Sequence, residues 1–109
     1  MIIVNTENIS GMKIIESKGL VQGNLACSAT PGFKLEIKAM FRTLVRGELE
    51  DYTELLTAGR QEVFNRMSEQ AKELGANAVI CVRFEFNNTW SVYKFYAYGT
   101  AVVAVPEKE

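Results

Sequence analysis

The chain has 109 residues, 48% hydrophobic and 23% charged, with a formal net charge of -1. That composition fits one globular domain able to bury a core without disulfide or metal staples. It leaves no surplus of Lys and Arg to neutralise phosphates, which argues against a nucleic-acid partner.

The opening stretch, "MIIVNTENIS", has neither the basic and apolar regions of a secretory signal nor a membrane-spanning run. The expectation is a cytoplasmic protein with no membrane partner. Its apolar start predicts a first strand ending near Thr6, followed by turn residues Asn8-Ile9-Ser10-Gly11. In "KIIESKGLVQGNLACSA", Gly19 and Gly23 interrupt a strand pattern and predict a bent strand or a tight hairpin.

A first helix is predicted from the Thr30-Pro31 start and from Phe33, Ile37, Met40, Phe41 and Leu44 at helical spacing, with Gly47 as its stop. A second has Asp51 as N-cap and Glu54 three residues on, then a stripe through Leu55, Gly59, Val63, Met67 and Ala71 to Gly75. Gly59 inside that stripe points to close contact with a neighbouring backbone. Glu62 and Arg66 form a pair four residues apart.

From Ala76 the period becomes two. Ala78, Ile80, Val82, Phe84 and Phe86 fall on one face, and Val79, Cys81, Arg83 and Glu85 on the other. Asn87-Asn88 predicts the turn into a return strand. That strand sets Val92, Tyr96, Tyr98 and Val102 against Tyr93, Phe95, Ala97, Ala101 and Val103. Two apolar sheet faces with too few helices to cover both imply a homo-oligomer. The reading is an α+β, two-layer domain over residues 1–105, an antiparallel sheet with two helices packed on it, and a solvated tail at 106–109.

The chain has no histidine, so the commonest general base and metal ligand is missing, and no phosphate-binding or dinucleotide fingerprint is present. The two cysteines, Cys27 and Cys81, match no paired spacing for zinc or dithiol chemistry. Each reads as a small buried hydrophobe. The alternative is a thiol site for redox work or for a soft metal ion, with Arg83 lowering the pKa of Cys81 and several copies of one cysteine meeting on a symmetry axis.

Glu48, Glu50, Asp51 and Glu54 read as acids at a helix start, the rival being a cation-binding rim. Trp90, Tyr93, Phe95, Tyr96 and Tyr98 could stack a planar ligand, although core or interface packing serves aromatic residues equally well. An enzyme would need groups such as Arg60 and Tyr98 brought together at a subunit boundary.

"Leu74-Gly75-Ala76-Asn77-Ala78-Val79-Ile80" and "Tyr98-Gly99-Thr100-Ala101-Val102", with Tyr52, Leu55, Gly59-Arg60, Met67 and Ala71 before them, resemble the YbjQ family. It is also called UPF0145, DUF74-type, or the "putative heavy-metal-binding domain" family. Thr6 to Gly11 and Gly19 to Gly23 fit its pattern too.

The resemblance implies a fold similar to the dodecin subunit, assembled into a pentameric ring, with no established catalysis and an unknown ligand. It supplies no binding residue to carry over. Many members have an Arg-Asp pair in the first helix and a Gly-Gly pair after it, where this chain has Arg46-Gly47. The expected function is therefore a non-enzymatic, homo-oligomeric binding or scaffold protein, with soft-metal or redox handling through Cys81 and Cys27 as the alternative.

Overall fold

The computed structural model describes residues 1–28, 49–89 and 92–107. Strand β1 (Ile2–Ile3) and the long strand β2 (Met12–Ser28) precede helix α1 (Leu49–Glu73), after which come β3 (Ala78–Thr89) and β4 (Val92–Pro106). One four-stranded sheet results, in the order β1-β3-β4-β2. Strand β4 pairs antiparallel with both neighbours, whereas β1 runs parallel to β3. The sheet is therefore mixed rather than antiparallel, because the N-terminal segment enters beside β3 in the same direction instead of through a hairpin.

The first predicted helix, together with Glu48 and Trp90, lies outside the described residues. Asp51 sits inside α1 rather than before it. Asn87 and Asn88 pair with Lys94 and Tyr93, so they belong to the ladder and not to a turn. At the other end β4 continues through Pro106, and the Glu107 N–H donates to the Gly11 carbonyl at 2.9 Å.

Strand β2 is one bent strand and not a hairpin. Its register against β4 slips between Ile14 and Glu16 and again between Ser17 and Gly19, and Gly19 takes φ 107°. Each extra residue adds local twist.

Helix α1 buries Leu55, Val63, Met67 and Ala71 against Val21 and Leu25 of β2 and Phe95, Ala97 and Ala101 of β4. The approach is close because two glycines leave room. A Cβ on Gly23 would collide with the Val63 carbonyl, and one on Gly59 with the Phe95 ring. The neighbour of Gly59 is thus a side chain, and the backbone contact expected there occurs at Gly23.

The helix ends as its sequence demands. Gly75, at φ 86°, donates to Lys72 O at 2.9 Å, and Ala76 N donates to Ala71 O at 3.0 Å, the paired bonds of a Schellman cap. Asn77 then extends the sheet with its side chain. Its Nδ2 donates to Ala104 O at 2.8 Å, and its Oδ1 accepts from Ala104 N at 2.9 Å.

Gly59→Ala separates propensity from packing. In a free helix the change would stabilise by about 1 kcal/mol, but here overpacking against Phe95 costs more, of the order of 1–3 kcal/mol. Urea unfolding is expected to show net destabilisation, with Gly59→Ala/Phe95→Leu recovering part of the loss.

Candidate functional site

Strand β3 does not alternate evenly. Ile80 pairs with Thr100 and Arg83 with Tyr98, so Cys81 and Val82 together oppose Gly99. This is a β-bulge, and Cys81 within it takes φ 56°. An L-residue in that conformation costs roughly 1–2 kcal/mol, which is why glycine is usual there.

The bulge shifts the phase of the strand. Val79 lies in the core before it, and Val82 lies in the core after it with Phe84 and Phe86 packed alongside. Ala78 and Ile80 therefore do not share a face with Val82, Phe84 and Phe86. The face away from α1 is also less apolar than expected, since beyond the bulge it carries Arg83, Glu85, Asn87 and Lys94 beside Tyr96 and Tyr98.

The extra residue also turns two successive amides outward, toward the N-terminal segment. Cys81 N donates to Thr6 O at 3.0 Å and Val82 N to Val4 O at 3.1 Å, while Val4 N donates to Val79 O at 3.0 Å. Arg83 reaches the same segment, with one guanidinium nitrogen 3.3 Å from Asn5 O and 3.0 Å from Val82 O.

Between this segment, β3 and α1 lies an open groove of about 880 Å³. Ile3, Val4, Phe64, Val82 and Phe84 form its apolar wall, and Asn5, Thr6 and Arg83 its polar rim. Phe64 meets Phe84 edge to face, with ring centres 6.2 Å apart. Sequence reading missed this site because strand periodicity does not reveal a bulge; the only cue was an apolar start one strand-length from a polar turn.

The two thiols differ. Cys27 is 1% exposed, and burial pushes its pKa up from 9.0 to about 11, so at neutral pH it is a protonated core group. Cys81 is half-buried. Cys27 pairs with Tyr93 while Cys81 opposes Gly99, six residues farther along β4. At the rise of a strand that separates them by roughly 20 Å. One chain therefore cannot place both on one ion. Among the described residues no three His, Cys, Asp or Glu side chains come together.

The other candidates also divide. Phe95 and Tyr93 pack in the core region with Phe86, whereas Tyr96 and Tyr98 lie on the opposite face, so they make no single stacking surface. Arg60 is exposed on the helix and Tyr98 on the far side of the sheet. Glu54 is exposed too. Among the described residues no helix is long and apolar enough to cross a membrane.

A family model described as "Putative heavy-metal-binding" matches residues 1–105. The chain belongs to the YbjQ (UPF0145) family. A UPF0145 protein of Dehalococcoides mccartyi strain 195 is 45% identical over 104 residues, covering 94% of this chain and 98% of that one. One from Thermococcus kodakarensis is 42% identical over 109 residues, with 99% and 95% coverage. Neither name carries an enzymatic activity.

The crystal structure of a DUF74 family protein of unknown function from Pediococcus pentosaceus superposes with a TM-score of 0.64 at 13% identity, covering 94% of this chain and 96% of that one. The chain thus shares its fold with a sequence-distant neighbour. The motifs that carried the resemblance have physical work to do: Leu74 to Ile80 caps the helix and starts β3, and Gly99 faces the bulge while Thr100 to Val102 pair with Ile80 to Ala78.

Two expectations follow from the thiols. The folded Cys27 keeps its proton to about pH 11, while in the unfolded chain it loses it near 9.0. Its contribution to stability is therefore intact below pH 9 and falls by roughly 2–3 kcal/mol as pH rises to 11. Denaturant unfolding across that range should show a shallower decline in Cys27→Ala. At the bulge, Cys81→Gly is expected to raise stability by about 1 kcal/mol and Cys81→Val to lower it by a similar amount, since a β-branched residue resists positive φ.

Proposed function

We propose that this YbjQ family member is a homo-oligomeric binding or scaffold protein of the cytoplasm, pentameric as the family resemblance implies, with no catalytic chemistry of its own. The observation that carries the binding role is the groove over the Cys81 bulge. Its size and its apolar wall with a short polar rim are those of a small-molecule pocket. The ligand it fits is an organic molecule with an apolar body and one polar or acidic group directed toward Asn5, Thr6 and Arg83. Nucleic acid and membranes are not partners on this reading, in keeping with the net charge of -1.

A second reading draws on the family description and on the half-buried thiol of Cys81. Copies of Cys81 brought together around a ring axis would offer a soft ion several sulfurs. Cys27 takes no part in it, being buried and protonated.

Native mass spectrometry of the reduced protein, titrated with copper(I), separates the two. On the first reading the oligomer takes up no stoichiometric copper, and it enhances the fluorescence of anilinonaphthalene sulfonate, a signal lost in Thr6→Trp, which fills the groove from its exposed rim, at unchanged thermal stability. Copper bound in a fixed ratio per oligomer and lost in Cys81→Ser would establish the metal reading instead.

A further inference from the structure

The rim of the groove over the bulge is made by the polar residues Asn5, Thr6 and Arg83, and they do not offer the same chemistry. Thr6 spends its hydroxyl hydrogen within its own turn, Oγ1 donating to Asn8 O at 2.6 Å. It keeps lone pairs and has no proton left for an anion. Arg83 is placed differently. Its Nη1 bonds two carbonyls, Asn5 O at 3.3 Å and Val82 O at 3.0 Å. Those bonds pin the guanidinium beside the groove and leave Nε and Nη2 without a partner among the described residues. That pair of N–H groups is the edge that meets a carboxylate through two parallel bonds.

The charge of Arg83 is unmatched as well. Among the described residues no carboxylate lies within ion-pair distance of it, although Glu85 stands two residues farther along β3 on the same face. Carbonyl oxygens hold the side chain in place of an acid, so its positive charge stays available at the rim. Of the described residues lining the groove, Arg83 alone is charged. One cation suits one negative charge, and a phosphate monoester, nearer two at neutral pH, would be left half matched.

The apolar wall sets the other end of the ligand. Phe64 of α1 and Phe84 of β3 are half-buried and meet edge to face, with ring centres 6.2 Å apart. An aryl ring against such a pair gains more than its buried area, and it loses fewer rotamers on binding than an alkyl chain of similar size. Arg83 and Phe84 are consecutive residues, so one small molecule can reach both.

We propose that the ligand is an aryl carboxylate, its ring against Phe64 and Phe84 and its carboxylate on the Nε and Nη2 edge of Arg83, and that Arg83 selects the acid over neutral analogues. The inference rests on the groove reading above and names the ligand class for it.

The probes are 2-naphthoate and its neutral counterpart 2-naphthamide, titrated into the reduced full chain at neutral pH and followed by ligand-observed NMR. The wild type is expected to bind the acid about tenfold tighter than the amide. General attraction does not produce that preference, since the net charge of the chain is -1. In Arg83→Gln the preference should vanish, with the affinity for the amide and the circular dichroism unchanged. Because Arg83 also holds the N-terminal segment, Arg83→Lys serves as a second variant; it keeps the charge, loses the fork and should retain only part of the preference.

Acid and amide bound equally by the wild type, or a preference that survives Arg83→Gln, would overturn this inference and leave the groove reading standing. Tighter binding of 2-naphthyl phosphate than of 2-naphthoate would overturn the carboxylate, and octanoate bound as tightly as 2-naphthoate would overturn the aryl ring. Binding of neither naphthyl probe would overturn the groove reading and this inference with it.

Discussion

The close seating of α1 on the sheet is the constraint on which the rest depends. Val63, Met67 and Ala71 reach the core only because Gly23 lets the helix backbone approach β2 and Gly59 admits the edge of Phe95. Seated that close, the helix can send Arg66 and Gln70 over the rim of the sheet to bond the backbone of β2. Both links act in the same place, so packing and polar capping hold β2 in a single register opposite β4. A slip of one residue would move Val21, Gly23 and Leu25 to the wrong face.

The bulge at Cys81 does a different job. Without it β3 would keep the parity of Ala78 and Ile80 and send Val82, Phe84 and Phe86 away from the helix. One extra residue reverses that parity midway, so Val79 and Val82 both enter the core. It also points two consecutive amides at Thr6 and Val4, which is what holds the N-terminal segment beside β3. The groove exists because this segment stands off from Phe64 and Phe84 while remaining anchored at the bulge. A strained thiol-bearing residue and the groove thus share one structural cause.

What could be read from the sequence followed from regular periods. The helix stripe, the Gly75 stop, the Glu62–Arg66 pair and both faces of β4 are local patterns, and each reappears in the structure. The bent course of β2 was legible at Gly19, which sits at a register slip, whereas Gly23 lies in regular pairing and makes room for the helix instead. The bulge was not, since the residue in the left-handed conformation is Cys81 and not glycine, and the partner that makes room for it, Gly99, lies 18 residues away. The face assignment of β3 failed for that reason alone, and with it went the expectation of two wholly apolar sheet faces. The parallel pairing of β1 was equally hidden, because nothing in a two-residue strand encodes its partner's direction.

The corrected faces change the ground for self-association. A sheet apolar on both sides would call for a second layer over its whole outer surface, but beyond the bulge that surface carries Arg83, Glu85, Asn87 and Lys94 and tolerates water. On the same face Ala78, Val102 and Ala104 are buried within the chain, and exposed apolar surface is confined to Ile2 and Leu20 at its two ends.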